Sequence, residues 1–268
     1  MGRGISLSLG EPRVGIVVPT LGERPEYLDQ CLHSIRAAGE AHIALVGPKE
    51  MDSKELVSKG LIDQVTPDPG GGLASAINAG IVSLPESVEY VNWLGDDDLL
   101  KPGAIEKALG AMATNNRVVA VYGACDYIDD SGDLIWTNKS GRWAKSILRF
   151  GPDLIPQPGA LIRRSAFERI GRLSSVFGWA FDFDMFIKLS KIGRLVYLPV
   201  SLASFRWHPD SLSVGQRRKS VSEASEVRKS HLPTTLRAVS EMWELPIRAL
   251  TYQAGLKVSQ RATAKKGK

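Results

Sequence analysis

Three consecutive aspartates, Asp96, Asp97 and Asp98, follow directly on the apolar run "VEYVNWLG". Hard divalent cations such as Mn²⁺ and Mg²⁺ prefer oxygen ligands, and magnesium is commonly held by one or two carboxylates together with substrate phosphates. Asp96 and Asp98 are close enough in sequence for both carboxylates to share one ion. A solvated turn in which Asp98 caps the next helix near Lys101 also explains the triplet. The triplet alone therefore does not decide between a metal site and a turn.

A glycine-rich loop, "GGGLASAINAG", begins at Gly70 and runs into a helical pattern. Glycines let backbone N–H groups approach an anion at a helix N-terminus, so the loop is suited to a phosphate. It lacks the Lys-Ser/Thr pair of a P-loop and the spacing of a dinucleotide fingerprint, which argues against ATP hydrolysis and NAD binding. A flexible turn explains the three glycines equally well.

Two further groups with acid–base chemistry lie in the second half of the chain. Asp182 and Asp184 stand in "FDFDMF", where apolar neighbours can raise the pKa of a carboxyl towards the range that a general base needs. Alternatively, the two carboxylates only stabilise the start of a helix by interacting favourably with the helix dipole. "FRWHPDSLS" places His208 beside Arg206, as a metal ligand or phosphate donor next to a fixed cation, or as an ordinary loop histidine.

Composition bounds the class of protein. The chain has 268 residues, 43% of them hydrophobic, which is enough for one large globular domain and a tail. No stretch approaches the roughly 18 apolar residues of a membrane-spanning helix, and two cysteines do not make a disulfide framework. The sequence therefore predicts a soluble cytoplasmic protein with reduced thiols.

The net charge of +5 is unevenly distributed along the chain. From Gly215 onward there are 12 Lys/Arg and 4 Asp/Glu, so this segment carries about +8 and the rest about −3. We expect no nucleic acid partner. The pattern "TTLRAVSEMWELPIRALTYQAGLKVS" predicts a helix, kinked at Pro246, with apolar residues near one face, namely Leu236, Val239, Trp243, Ile247 and Leu250. Such a face packs on the body of the protein, forms a homo-oligomer, or lies on the inner face of the membrane as a peripheral contact.

Strand and helix patterns alternate over about the first 120 residues. This alternation predicts an α/β fold, a Rossmann-like, mostly parallel sheet with helices on both faces, followed by a C-terminal helical extension. Ligands bind beyond the carboxyl ends of strands in such sheets, and Thr20, Asp68 and the three aspartates all lie at predicted strand ends. The stretch "VVAVYGACDYIDDSGDLIW" instead predicts a hairpin with its turn at residues 130–132.

The order of these stretches resembles the family 2 glycosyltransferases of the GT-A fold. The resemblance runs from about Val14 to Ser213 and is carried by "VVPTLGERPEYLDQCLHSI", "DPGGGLASAINAG", "VNWLGDDDLLKPGAIEKAL", "IPQPGALIRRSAFERIG", "FDFDMFIKLSKIGRLVYLP" and "LASFRWHPDSLS". It implies an N-terminal extension over 1–12, a GT-A domain over 13–214 and a basic, mostly helical tail over 215–268. Within the domain, 13–122 would bind the nucleotide sugar and 123–214 the acceptor.

The resemblance also implies roles for individual residues. A nucleotide-diphosphosugar is the implied donor, and a divalent cation, Mn²⁺ or Mg²⁺, bridges its phosphates at a DXD-type motif. The implied metal ligands are Asp96, Asp98 and His208. The implied donor-binding residues are Pro19, Thr20, Arg24, Asp68, Gly72, Asn78, Asp96, Asp97, Gln157 and Arg206. Asp182 is the implied general base, which deprotonates an acceptor hydroxyl for a single, inverting displacement.

The chain departs from the family pattern at the end of the second strand. Many members have an Asp-Asp-Gly-Ser type turn there that contacts the base, whereas this chain has "LVGPKE", so recognition of the base would rest on Asp68. The implied acceptor is a saccharide or lipid-linked saccharide in cell-surface polysaccharide or glycolipid synthesis. A sugar-phosphate nucleotidyltransferase and a non-catalytic nucleotide- or carbohydrate-binding protein are the alternatives.

Overall fold

The computed structural model describes residues 12–208 and 215–266. The predicted N-terminal extension, apart from Pro12, and the predicted domain boundary at residue 214 lie outside these ranges. Nine strands of the described residues form one sheet. They are β1 (Val14–Pro19), β2 (His42–Gly47), β3 (Gln64–Pro67), β4 (Tyr90–Trp93), β5 (Leu99–Leu100), β6 (Val118–Ile128), β7 (Leu134–Asn138), β8 (Leu161–Arg163) and β9 (Arg194–Arg206).

The α-helices of the described residues flank and follow these strands. They are α1 (Pro25–Ala38), α2 (Lys54–Ser58), α3 (Leu73–Ser83), α4 (Ala104–Ala113), α5 (Ala144–Ile147), α6 (Arg164–Arg169), α7 (Phe181–Ile192), α8 (Arg217–His231), α9 (Thr234–Arg237) and α10 (Glu241–Lys266). In α1 the buried residues recur at helical spacing, and Gly39, at a φ of +141°, follows its last turn.

The sheet has the strand order β3-β2-β1-β4-β8-β6-β9-β5, with β7 paired to β6. Strands β1 to β4 pair in parallel, as their crossover helices require. Antiparallel pairing enters with β8, which lies between β4 and β6, and with the β6–β7 hairpin. The predicted α/β sheet is confirmed. Strands β6 and β9 of the second half also pair in parallel, so the sheet is mixed, with antiparallel pairs at β8, at the β6–β7 hairpin and between β5 and β9.

Helices cover both faces of the sheet, so each face has its own core. Along β1, Ile16 and Val18 point into the core beneath α1 and α4, and Val17 points into the core beneath α3 and α7. Helix α3 lies unusually close to β1, since a Cβ atom at Gly80 would be 2.5 Å from a Val17 methyl. This packing holds the N-terminus of α3 against the ends of the parallel strands.

The C-terminal helices pack on the body through polar groups as well as apolar ones. Arg228 of α8 forms a bidentate ion pair with Glu244 of α10 at 2.8 and 2.6 Å, and donates to the Gly151 carbonyl at 3.3 Å. Both charged side chains are almost fully buried, at 2% and 0% exposed. No helix in residues 12–208 or 215–266 is long and apolar enough to cross a membrane.

The apolar face predicted for the C-terminal segment is divided in the structure. Trp243 and Ile247 turn towards the protein, because a break after α9 restarts the helix at Glu241. The remaining large apolar side chains stay in solvent and form what we call the C-terminal apolar face: Leu236, Val239, Met242, Leu245 and Leu250. Helix α10 continues through Pro246.

Candidate active site

A cavity of about 610 Å³ opens beyond the carboxyl ends of the parallel strands. Thr20 follows β1, Asp68 follows β3 and the three aspartates follow β4. The predicted site residues that line this cavity are Pro19, Thr20, Arg24, Asp68, Gly72, Asp96, Asp97, Asp98, Gln157 and Asp182. Carboxylates from both halves of the chain therefore meet in one cavity of a size that suits a small ligand.

Thr20 and Arg24 tie the first loop to the aspartates. The Thr20 hydroxyl donates to Asp96 Oδ2 at 2.6 Å. The Arg24 guanidinium forks between two carboxylates and donates to Asp96 Oδ1 and Asp97 Oδ2, both at 2.7 Å. With its side chain 35% exposed, Arg24 is also accessible from solvent. Arg24 supplies positive charge that the adjacent carboxylates require.

His208 contacts the middle aspartate rather than its neighbours. Its Nε2 lies 2.8 Å from Asp97 Oδ2 and 3.3 Å from Arg24 Nη1. The ring is 5% exposed and does not line the cavity. The predicted cation ligands Asp96, Asp98 and His208 are thus not gathered into one group, because Asp97 lies between the histidine and the rest.

The Asp98 carboxylate bonds to the backbone of β9. Its Oδ1 accepts the N–H of Arg206 at 2.9 Å, and the Arg206 Nε donates to the Asp97 carbonyl at 2.9 Å. The rest of the Arg206 guanidinium bonds the carbonyls of Asp129 and Asp130 and stacks on Tyr27 at 4.3 Å. Arg206 is 1% exposed and does not line the cavity, and it supports the aspartate turn through these bonds.

The three neighbouring carboxyls have different acidities. Burial raises the pKa of Asp98 well above its usual value, and the charge of Asp97 raises it further. Burial also raises the pKa of Asp96, against the Thr20 hydrogen bond and the Arg24 charge. For Asp97 burial is outweighed by the His208 hydrogen bond and the Arg24 charge, so its pKa is lowered. Burial thus disfavours the charged forms of Asp96 and Asp98, and a nearby cation would favour them.

The donor set fits a hard divalent cation. Asp96 and Asp98 are buried carboxylates that face one cavity, and oxygen ligands of this kind suit Mn²⁺ and Mg²⁺. Among the described residues no three His, Cys, Asp or Glu side chains form a group that could hold a metal by themselves. A cation here would therefore take its remaining ligands from phosphate oxygens and water.

Asp68 and the glycine loop form the opposite rim. Asp68 Oδ1 accepts the N–H of Gly70 at 2.8 Å, and Gly70, Gly71 and Gly72 all have positive φ, between 79° and 94°. Few other residues adopt this conformation without strain. The loop leads the chain into the N-terminus of α3, where backbone N–H groups are open to an anion.

Asn78 does not lie in the cavity. Its amide exchanges two hydrogen bonds with the backbone of Leu173, at 2.9 and 3.1 Å, and it stands well into α3, away from the N-terminus that faces the cavity. Its predicted contact with the donor is therefore not supported, and Asn78 instead joins α3 to the loop before α7. Gln157 does line the cavity, where its Nε2 donates to Asn92 Oδ1 and the Trp93 carbonyl.

Asp182 stands in the first turn of α7 on the far side of the cavity. The N–H of Phe183 donates to its Oδ1 at 2.8 Å, which orients the carboxyl. Surrounding protein atoms desolvate the group and raise its pKa to about 6. Asp184 has no such freedom, since its carboxylate pairs with Lys188 and His231. Asp182 is therefore the carboxyl of this helix that is available for proton transfer.

Several cavity residues have no counterpart among the predictions. Asp153 lies opposite Asp182, and burial together with the charge of Asp182 raises its pKa well above the usual value. Aromatic rings form the adjoining wall, where Tyr127 and Trp207 stack with centroids 5.3 Å apart, joined by Phe205 and Trp179. The one sequence signal for this wall is the aromatic density around "FRWH" and "GWAFDF".

Residues 15–171, more than half of the chain, match the family described as Glycosyl transferase family 2. The chain belongs to glycosyl transferase family 2. The match ends before α7, so it includes the three aspartates and not Asp182. This family 2 chain is 25% identical over 228 residues to an uncharacterized glycosyltransferase of Rickettsia felis, which covers 80% of the chain and 36% of that relative. It is 28% identical over 147 residues to a chondroitin synthase of Pasteurella multocida, which covers 54% of the chain and 15% of that relative.

A solved structure supports the GT-A type fold of this family 2 chain. The mannosyltransferase from Pyrobaculum calidifontis, in complex with GDP-Man and Mn²⁺, superimposes with a TM-score of 0.62. The alignment covers 95% of this chain and 76% of that one at 16% identity, which is a likeness of fold. The chain spans about a third of the Rickettsia felis relative, so the family 2 domain accounts for only part of that protein.

Proposed function

We propose that this chain transfers a sugar from a nucleotide-diphosphosugar to an acceptor hydroxyl by a single, inverting displacement assisted by a divalent cation. The observation that carries the proposal is the meeting of Asp96, Asp98 and Asp182 in one cavity, with an acidic rim on one side and a desolvated carboxyl on the other. The half over 13–122 would bind the donor and the half over 123–214 the acceptor. Membership of glycosyl transferase family 2 supports the reaction class.

On the donor side, the residues of the first loop would bind the nucleotide diphosphate. Arg24 is partly exposed and positively charged beside the aspartates, so it can meet phosphate oxygens. Asp68 faces the same cavity and would accept hydrogen bonds from the base, while the N-terminus of α3 after Gly72 offers backbone N–H groups. Asp96 and Asp98 would hold Mn²⁺ or Mg²⁺ there. When bound, the cation supplies Lewis-acid neutralisation of the charge on the departing nucleoside diphosphate.

On the acceptor side, Asp182 would take the proton of the attacking hydroxyl. Its raised pKa, about 6, still leaves it charged at neutral pH while making it a stronger base than an ordinary aspartate. The aromatic wall of Tyr127, Trp207 and Trp179 offers flat apolar surfaces for a sugar ring beside this carboxyl. The attack would come from the face opposite the leaving group, which inverts the anomeric configuration.

The acceptor is proposed to be a saccharide or a lipid-linked saccharide of the cell surface. The similarity to a chondroitin synthase of Pasteurella multocida supports this class of acceptor. With such an acceptor, the enzyme would act in the cytoplasm or on the inner face of the membrane.

We expect UDP-, GDP- or dTDP-sugars to raise the melting temperature only when Mn²⁺ is present. A ligand that binds only the folded state at about 100 times its Kd stabilises by about 2.7 kcal/mol. A thermal-shift screen of the three donor classes, with and without Mn²⁺, measures this and also identifies the base. Stabilisation by none of the donors, or release of pyrophosphate from a nucleoside triphosphate, would contradict the proposal.

The C-terminal apolar face is proposed to contact an anionic membrane surface. Met242 and Leu245 lie three residues apart on α10 and are 80% and 60% exposed. The segment from Gly215 carries 12 basic and 4 acidic residues, and three of the four acids are bonded within the described protein, at Glu223, Glu241 and Glu244. The segment thus carries a net positive charge together with exposed apolar side chains, a combination that favours anionic lipid. A second copy would bring like charges together.

We expect the chain to float with vesicles that contain anionic lipid and to be released by salt, because screening weakens the basic contribution. Replacing Met242 and Leu245 with glutamate should weaken binding by about tenfold or more per side chain, since burial of one such side chain contributes about 1.5–3 kcal/mol. Val176→Glu is the matched control, as Val176 is 81% exposed on the body of the protein. Flotation that is absent at low salt, or equal for all variants, would exclude this surface as the membrane contact, and a salt-resistant dimer would assign it to self-association.

A further inference from the structure

One carboxylate of the C-terminal helices binds the backbone directly before the proposed base. Glu223 of α8 accepts the N–H groups of Gly178, Trp179 and Ala180, at 2.8, 2.5 and 2.6 Å. These N–H groups belong to the N-terminal boundary of α7, where helical partners are missing. Because three consecutive N–H groups bond to one carboxylate, the backbone of this short segment is held in one conformation.

The segment that Glu223 binds contains one cavity residue and is followed closely by another. Trp179 lines the aromatic wall, and Asp182 follows Ala180 by two residues. Because helix geometry fixes Asp182 relative to Ala180, a shift of the 178–180 backbone moves the carboxyl and the indole together. Misplacement of a reacting group by about 1 Å can cost on the order of 10²-fold in rate.

Helix α8 contacts α7 at further points along its length. The Arg228 guanidinium lies 5.9 Å from the centroid of the Phe183 ring. His231, near the end of α8, pairs with Asp184 at 2.7 Å. Glu223 is thus one of several contacts through which α8 lies against α7 and the turn before it, and it is the one nearest the cavity. All three α8 residues lie beyond the part of the chain that matches the family.

We propose that Glu223 is a positioning residue for sugar transfer, which fixes the start of α7 so that Asp182 and Trp179 meet the acceptor. This inference rests on the proposed function, in that Asp182 is taken as the base. Glu223 touches no reacting atom, and its effect passes through the backbone of residues 178–180.

The charge of Glu223 gives the proposal a second readout. The charged groups around Asp182 are Glu223 on α8 and Asp153 on the cavity loop, with Arg228 acting on Asp153. Burial is the main cause of the raised pKa of Asp182, and the negative charge of Glu223 adds to it. Loss of that charge should move the acid limb of the pH–rate profile to lower pH, an effect that loss of fold alone would not produce.

The test compares Glu223→Ala, Glu223→Gln and Glu223→Asp with the wild-type chain. The reaction is release of nucleoside diphosphate from the donor selected by thermal shift, with Mn²⁺ present. For Glu223→Ala we expect kcat to fall by on the order of 10²-fold with donor KM within about twofold. Glu223→Gln keeps one acceptor oxygen and should lose less rate while showing the same shift of the acid limb. Glu223→Asp keeps the charge and should leave the acid limb in place.

Glu226→Ala is the matched control, since Glu226 is exposed one turn further along α8. It should leave kcat, KM and the acid limb unchanged. The proposal is overturned if Glu223→Ala keeps the wild-type kcat and acid limb, or if its loss of rate only follows its unfolded fraction in a melting curve. Asp182→Asn measured in parallel separates the two hypotheses: if it retains turnover, the assigned base is wrong, and if it does not while Glu223→Ala does, only the positioning role fails.

Discussion

Asp182→Asn should bind the donor as the wild-type chain does and lose sugar transfer by about 10²- to 10⁴-fold, the usual contribution of a positioned general base. Asparagine keeps the shape of the side chain and an oxygen that can accept the Phe183 N–H, but it cannot take a proton. Single-turnover measurement of nucleoside diphosphate release, with donor affinity measured separately, gives the comparison. Turnover near the wild-type rate would remove Asp182 from the mechanism.

The pKa of Asp182 gives this prediction a pH dependence and a check on folding. The base works only when ionised, so kcat/KM should fall as pH drops through about 6 and not near 4. Because the folded state raises this pKa, the charged carboxyl destabilises the fold above about pH 6, and Asp182→Asn should melt higher than the wild-type chain at pH 8. Glu168→Gln, on the exposed surface of α6, should change neither property.

Asp98→Ala should abolish the Mn²⁺-dependent part of donor binding. Mutation of a residue that only orients a metal ligand typically lowers metal affinity or activity by about 10- to 100-fold. Removal of a ligand itself should therefore lower the metal-dependent affinity by on the order of 10²-fold or more. Calorimetric titration of the donor, with and without Mn²⁺, measures the metal-dependent difference directly. An unchanged difference would place the cation elsewhere.

A second variant keeps the test informative if Asp98→Ala does not fold. Asp98 is 5% exposed and accepts the Arg206 N–H, so Asp98→Ala leaves a buried donor without a partner. Asp98→Asn keeps an oxygen for that N–H and loses only the charge that the cation needs. Asp52→Ala, at an exposed loop carboxylate, should bind donor and Mn²⁺ as the wild-type chain does.

Local patterns in the sequence predict the elements that form the proposed donor side of the cavity. Apolar β-branched runs give the parallel strands, and each polar residue that follows such a run, such as Thr20 or Asp68, lies at the sheet edge where the cavity forms. The hairpin of β6 and β7 is likewise predicted by its turn at residues 130–132. These features depend on periodicity and turn chemistry, which are properties of short stretches.

Contacts between distant side chains could not be predicted in this way. The spacing of the aspartates suggests that Asp96 and Asp98 share an ion and says nothing of the partners of Asp97. The fold sets Asp97 against His208 and Arg24. Asn78 has the residue type of a ligand contact, and only the packing of α3 on the Leu173 loop shows where its amide bonds. Side-chain partners of this kind follow from tertiary packing.

The proposed acceptor side of the cavity depends even more on contacts between residues that are distant in the sequence. Asp153 stands in a proline-broken loop with no periodic pattern, and it reaches the cavity only because that loop folds back towards α7. In the sequence, Glu223 is one acidic residue within a basic, polar helical segment. Its three backbone partners lie more than 40 residues earlier in the chain. No local rule connects these positions.

The buried pair of Arg228 and Glu244 has a consequence for how the chain unfolds. If α10 moved away from α8, the guanidinium would keep its place in the protein interior without its carboxylate, and breaking a buried pair costs about 3–5 kcal/mol. Opening of the C-terminal helices is therefore far more costly than ordinary fraying of a terminus, and the amide protons of α8 should exchange with solvent about as slowly as those of the central strands. We therefore expect residues 215–266 to unfold together with the sheet.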